Sequence, residues 1–290
     1  MIDIIKHIDS PIYYMGNKRR LLKSILPLFP NNIETYIELF CGSGVVGMNV
    51  SAKQYIFNDK NENLIKLLQY FHDTNPQDIL DELKELITLY KLPEFSTDSR
   101  KYDGDTAIYK QNYNQLKKDY NSTKDTKLLY LLHVYSIAHI IRFNSLGDFN
   151  ASMGNGYLTV KYQQNILDNN YSKISKLHSK DFRNVDLSQL TVKDFVYLDP
   201  PYYNSTAVYH ENNGWTCGDD KDLFDLCDTL TRKGIKWGMS NVYRNRGKNN
   251  KDLIKWVQSK DYRLHTFENF DYVSFGKGKS QTQEVFITNY

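Results

Sequence analysis

The sequence predicts an α/β protein whose open, mostly parallel sheet is interrupted by a mainly helical insertion. Three observations predict it. The run Phe195-Val196-Tyr197-Leu198 reads as a buried strand and ends abruptly at Asp199-Pro200-Pro201-Tyr202, where two prolines can neither donate to a sheet ladder nor enter a helix. Far upstream, Thr35-Tyr36-Ile37-Glu38-Leu39-Phe40 reads as a second strand, followed by the glycine-rich Cys41-Gly42-Ser43-Gly44-Val45-Val46-Gly47. Between these two places the pattern turns helical, so one α/β core carries an inserted domain.

Lys18 to Leu26 has helical spacing and stops before Pro27, giving a helix ahead of the first strand. After the glycine loop, Met48 to Lys53 suits a helix, and Gln54 to Asn58 a strand ending at Asp59. Strand–helix alternation runs to about Tyr70. Helices follow over Ile79–Leu89, Thr106–Asp119 and Leu128–Ile141, with a polar loop from Pro93 to Asp105 that holds Arg100 and Lys101. Gly147 to Leu158 suits a hairpin or extended loop. Alternation resumes near Ile174, with strands at Phe195–Leu198, Ile235–Met239, Tyr262–Thr266 and Glu284–Thr288. The expected division is a discontinuous core of residues 1–70 and 166–290 around an insert of 71–165. Two long loops, Tyr203–Asp219 with Trp215 in it and Phe267–Gln283, have the length of functional lids.

Composition narrows the class. The chain has 290 residues, 40% hydrophobic and 24% charged, as soluble globular proteins do. A net charge of +3 is too small to imply a polyanion partner, and the basic groups at Lys18-Arg19-Arg20, Arg244–Lys248 and Lys277–Lys279 read singly as solvated surface. The three cysteines lack metal-ligand spacing, so neither zinc nor a disulfide framework is expected. The longest apolar stretch, Leu128 to Ile141, is too short to span a bilayer and contains His133 and His139, to which we give no catalytic role. Met1 to Ser10 is polar and charged, without a cleavable signal pattern, so a cytoplasmic place is expected.

The chemistry lies at the strand ends, where open α/β sheets bind ligands. Asp199 offers a carboxylate and Pro200 a carbonyl, two acceptors with no donor between them. Tyr202 adds an aromatic face. That set suits an exocyclic amine on a flat heterocycle such as adenine, and it equally describes a proline-rich surface turn. Gly42, Gly44 and Gly47 spell G-x-G-x-x-G, weak evidence alone. Asp59 at a strand end can accept both hydroxyls of an adenosine ribose. A nicotinamide dehydrogenase would use the glycines and Asp59 but leaves the Asp-Pro-Pro-Tyr corner without a purpose.

Taken in order, Tyr14-Met15-Gly16-Asn17-Lys18, Glu38–Gly44, Phe57-Asn58-Asp59, Arg142-Phe143-Asn144 with Gly147–Asn150, Asp199–Tyr202, Gly234–Val242 and Glu284–Asn289 resemble the Dam family of DNA adenine-N6 methyltransferases, most closely the phage type. The resemblance implies a Rossmann-like S-adenosylmethionine-dependent methyltransferase sheet with an inserted DNA-recognition domain. It implies a catalytic corner of Asp199, Pro200, Pro201 and Tyr202, with Tyr202 stacking on a flipped-out base. S-adenosylmethionine would meet Tyr14, Lys18, Glu38, Phe40, Gly42, Gly44, Asp59, Phe182 and Asp199. Double-stranded DNA would meet Arg100, Lys101, Arg142, Phe143, Asn144, Asn150 and Ser152, the last standing where the family often has proline. Arg142 suits guanine, Asn144 and Asn150 suit adenine edges, and Phe143 suits a wedge. GATC is the expected target, and a cognate restriction endonuclease a possible partner. An RNA or protein amino-group methyltransferase, or a non-catalytic DNA-binding relative, are the alternatives on the same fold.

Overall fold

The computed structural model describes residues 7–14, 16–94, 106–202, 214–245, 248–267 and 282–290. Along the chain come α1 (Leu22–Ile25), β1 (Ile33–Glu38), β2 (Ala52–Asn58), α2 (Glu62–Asp73), α3 (Pro76–Leu89), α4 (Thr106–Thr123) and α5 (Thr126–Tyr135). Then follow α6 (Val160–Asp168), β3 (Lys176–His178), β4 (Phe195–Leu198), α7 (Cys217–Arg232), β5 (Lys236–Asn245), β6 (Lys248–Asn249), α8 (Lys251–Gln258), β7 (Arg263–Phe267) and β8 (Gln283–Thr288). The chain separates into two compact units, one of residues 1–19, 42–48 and 61–173, the other of residues 20–41, 49–60 and 174–290.

The second unit holds the sheet, in the order β3-β2-β1-β4-β5-β8-β7, with β6 paired to β5. The first five strands run parallel, while β8 lies antiparallel between β5 and β7. The order reverses between β1 and β4, whose register pairs Glu38 with Tyr197. Burial on both faces explains the unbroken apolar runs. One face stacks Tyr36, Phe195, Tyr197 and Phe286 around Phe29. The other packs Ile37, Val196, Leu198, Trp237 and Met239 with Leu223, Cys227 and Leu230 of α7 and Leu253 and Val257 of α8. Gly238 sits mid-strand because any Cβ there would strike the Phe286 ring at 2.3 Å.

The first unit contains α2–α6. Asn61, Asn75 and Asp125 cap α2, α3 and α5 through their side chains, and Pro76 opens α3, where a missing N–H costs nothing. Every residue from Leu128 to Tyr135 is buried, as the apolar stretch predicts. The helix stops at Tyr135 rather than Ile141. Ser136 is extended and bridges Met153, its Oγ donates to the carbonyls of His133 and Ile140, and Ala138 and His139 are left-handed.

The helix expected over Met48–Lys53 is a second correction. Only a single 3-10 turn forms, Gly47–Asn49, and β2 begins at Ala52. The Met48 carbonyl is taken by the side chains of Asn170 and Lys173, and the Tyr55 hydroxyl donates to the Val50 carbonyl while accepting from Ala52 N–H. Side chains thus claim the backbone groups a helix would use.

Candidate functional site

In the sheet unit, residues just beyond β1, β2, β3 and β4 share the carboxyl edge where the strand order reverses. Asn58 ties this edge together. Its fully buried carboxamide donates to the carbonyls of Leu39 and Lys180 and accepts from Lys180 N–H, at 2.9, 3.0 and 3.1 Å. Backbone bonds add to it: Leu39 N–H to Tyr197, Cys41 N–H to Asn58, Asp59 N–H to His178. One side chain on β2 thus holds the segments after β1 and β3, and Asp59 leaves β2 part-exposed between them.

Asp199 emerges from β4 part-exposed, followed by a buried Pro200. The Tyr202 hydroxyl donates to Asp199 Oδ1 at 3.1 Å, so the ring expected to stack on a base also steadies the carboxylate. Beneath Asp199 the buried Tyr197 hydroxyl pairs with Ser240 Oγ at 2.8 Å. Burial, with Asp199 beside it, pushes the Tyr197 phenol well up, so it stays neutral. Glu38 is buried and accepts from the Tyr36 hydroxyl at 3.2 Å. Burial, reinforced by Asp59 and Glu38, also raises the Cys41 thiol, which remains protonated at neutral pH. Phe40 and Phe182 meet with ring centroids 5.4 Å apart.

In the helical unit, the opening motif folds as a tight turn. Asn17 donates to the Tyr14 carbonyl from backbone and side chain, and Lys18 Nζ donates to the Gly16 carbonyl at 2.8 Å. Lys18 is 3% exposed, which corrects the reading of its cluster as solvated surface; Arg19 and Arg20 are exposed as expected. Gly42 is left-handed (φ 50°), and a Cβ on it would lie 3.1 Å from the Tyr14 ring. The glycine thus opens room for the tyrosine and for close approach of a ligand to the backbone.

Residues 142–150 of that unit form a hairpin bridged at Phe143 and Phe149. Arg142 donates to the side-chain oxygen and carbonyl of Asn150 at 2.8 and 3.2 Å. Asn144 Oδ1 accepts from the N–H groups of Leu146 and Asp148 and so shapes the turn. Phe143 packs on Tyr120 and Phe149. Ser152 is exposed, and its carbonyl accepts from Ile137 N–H. Arg100, Lys101, Arg246, Lys277, Lys279 and most of both long loops lie outside the described residues. His133 is buried, accepts from Tyr13 N–H and is held by burial to a pKa of about 3, so it carries no charge at neutral pH.

Among the described residues no His, Cys, Asp and Glu group suits a metal, no helix is long and apolar enough to cross a membrane, and the three cysteines are free. Sequence reasoning passed over Asn58, although it sits inside the quoted Phe57-Asn58-Asp59. Trp215, expected within a long loop, stands just ahead of α7 and donates its indole N–H to the buried Asp220 at 2.6 Å.

A parallel sheet with an antiparallel strand set between β5 and β7, a glycine loop after β1 and a proline corner after β4, defines the fold of S-adenosylmethionine-dependent methyltransferases. The chain belongs to the D12 class N6 adenine-specific DNA methyltransferases, whose family model matches residues 14–271. It is 33% identical to Modification methylase StsI of Streptococcus sanguinis, over 98% of this chain and 43% of that protein. It is 30% identical to Type II methyltransferase M.FokI of Planomicrobium okeanokoites, over 100% of this chain and 45% of that protein. A DNA adenine methylase of Vibrio cholerae is 24% identical over 79% of each chain. The chain thus spans less than half the length of the first two relatives.

Proposed function

We propose that this chain methylates N6 of an adenine flipped out of a short duplex DNA target. The observation that carries the reading is the adjacency of the β1 and β4 ends, which sets Asp199-Pro200-Pro201-Tyr202 beside Glu38-Leu39-Phe40 at the switch point of a D12-class sheet. S-adenosylmethionine, when bound, supplies a methyl group activated on sulfonium. The residues fit such a group: left-handed Gly42 lets the Tyr14 ring lie against its backbone, Asp59 stands at a strand end for ribose hydroxyls, and Phe40 with Phe182 offers an aromatic surface. Lys18, Glu38, Gly44 and Asp199 complete the proposed contacts.

The chain's own part is positioning. Asp199 and the Pro200 carbonyl accept the two amine hydrogens, which localises the nitrogen lone pair and orients it for attack. Tyr202 bonds Asp199 and presents its ring to the base. A base inside a duplex cannot reach this corner, so the nucleotide leaves the stack. In this reading residues 71–165 form the target-recognition domain and residues 1–70 with 166–290 the catalytic one. Arg100 and Lys101 meet phosphates, and Arg142, Phe143, Asn144, Asn150 and Ser152 form the recognition face. GATC is the target we propose from the Dam-like segment Arg142–Asn150. The higher identity to Modification methylase StsI favours, as a second reading, another short target and a cognate restriction endonuclease in the same cell.

Transfer of tritiated methyl to duplex DNA, RNA and protein tests the activity, with label expected in DNA alone. Sequencing of N6-methyladenine in DNA from cells expressing the chain gives the target; methylcytosine, or methylated RNA with unmodified DNA, overturns the reading.

A further inference from the structure

A glycine loop after the first strand of an α/β sheet ordinarily opens a helix, whose N-terminal N–H groups face the ligand. Here that helix is missing: beyond the loop only the 3-10 turn Gly47–Asn49 forms. Gly42 and Gly44 are both left-handed, with φ of 50° and 66°, and glycine backbone bends easily. Something other than a helix must therefore hold the loop in shape.

That hold comes from one short segment beyond α6. Asn170 and the 3-10 turn Tyr171–Lys173 close on the glycine loop at both of its ends. At the start, the Tyr171 hydroxyl donates to the Ser43 carbonyl at 2.7 Å. The same oxygen lies 2.7 Å from Ser10 Oγ, and because its proton is given to Ser43, Ser10 is the donor of that pair. At the far end, the Met48 carbonyl accepts from the Asn170 carboxamide at 3.1 Å and from Lys173 Nζ at 3.0 Å. Tyr171 is fully buried, with its ring 5.9 Å from that of Phe71, and Ser43 is buried too. All of these residues belong to the helical unit.

Holding the Ser43 carbonyl also orients the next donor. In a trans peptide the C=O and the following N–H point opposite ways, so the Gly44 N–H is turned to the face of the loop away from Tyr171. With a glycine on each side of Ser43, that peptide could otherwise turn over. Bracing both ends fixes one backbone shape, which a ligand-binding loop requires and a plain connection from β1 to β2 does not.

We propose that residues 170–173 form a clamp that preorganises the glycine loop for S-adenosylmethionine, with Tyr171 as its positioning residue. This rests on the cofactor reading above. Tyr171 acts from a fully buried place, through the Ser43–Gly44 peptide, and cofactor affinity then depends on the helical unit as well as on the sheet.

Calorimetric titration of the full chain with S-adenosylmethionine tests it, with thermal melting as the check on folding. Tyr171→Phe keeps the ring and removes only the hydroxyl. It is expected to weaken binding about tenfold, the scale of leaving one buried carbonyl unpaired, and to raise KM for S-adenosylmethionine with kcat nearly unchanged. Lys173→Met, which leaves Asn170 on the Met48 carbonyl, is expected to weaken binding about threefold. The control is Tyr135→Phe: the Tyr135 hydroxyl is as deeply buried in the same unit and donates to the Pro93 carbonyl at 2.9 Å. That variant should melt lower than the parent and bind the cofactor as the parent does. Should Tyr171→Phe fail to fold, Lys173→Met decides. Parent-like affinity in Tyr171→Phe and Lys173→Met, or an equal loss in Tyr135→Phe, overturns the clamp alone. A parent chain that does not bind S-adenosylmethionine overturns the cofactor reading, and the clamp with it.

Discussion

The proline corner at Asp199–Tyr202 and the hairpin at Arg142–Asn150 place their side chains by opposite means. At Asp199–Tyr202 the strand register does the work: β4 lies between β1 and β5, every residue of β4 is buried, and the chain leaves the sheet with little freedom. At Arg142–Asn150 the segment is braced from within, Arg142 by Asn150 and the turn by Asn144, while Leu146 at the tip is 84% exposed. A site embedded in a sheet tolerates no adjustment and suits chemistry. A hairpin that holds its own shape can vary its tip and still fold, which suits target choice.

The largest effect that sharpens this contrast is expected at the corner. Asp199→Ala should lower methyl transfer by about 10²–10⁴-fold, the scale of losing a positioned proton-accepting group, with melting unchanged. Near-normal turnover, or insoluble protein, would break the assignment. Asn58→Leu attacks the same edge through structure: it leaves the Leu39 and Lys180 backbone groups without their partner and should cost about 2–4 kcal/mol in chemical denaturation. A variant as stable as the parent would show that the sheet positions the loops unaided.

Asp220 gives the corner's surroundings a pH signature. Its folded pKa of about 6 lies above its ordinary value of 3.8, so the folded chain binds the proton more tightly than the unfolded one. Stability from this group is full below about pH 4 and is lost as pH rises through 6. Relative to the parent, Asp220→Asn should therefore gain on the order of 2–3 kcal/mol between pH 4 and pH 8, measured by urea unfolding at each pH. Parallel stability curves would place Asp220 in contact with water.

The hairpin should respond more mildly and differently. Arg142→Ala is expected to relax discrimination at one base pair by about 1–3 kcal/mol on a panel of duplexes differing by single pairs, with melting little changed. An unaltered ranking of duplexes would move target choice elsewhere in the chain. Lys101→Ala should weaken all duplexes alike and flatten the salt dependence of binding by about one unit of slope. A loss restricted to one sequence would make Lys101 a reader rather than a phosphate contact.

Much was legible in the chain itself. Prolines at 200 and 201 end β4 at the expected residue, glycines mark the turn after β1, and apolar spacing locates α3, α4 and the buried α5, because these signals are local and steric. Local signals failed where distant side chains intervene. The helix after Gly47 is lost to Asn170, Lys173 and Tyr55, and α5 ends early because Ser136 bridges Met153. Only the tertiary structure could order the strands, set β8 antiparallel between β5 and β7, and bring the segments at Leu39 and Lys180 to Asn58. It also brought Trp215 to Phe40 and Phe182, residues far apart in the chain. The physical reason is range: chain stiffness and period act over a few residues, whereas hydrogen bonding and ring packing between distant segments depend on the completed sheet.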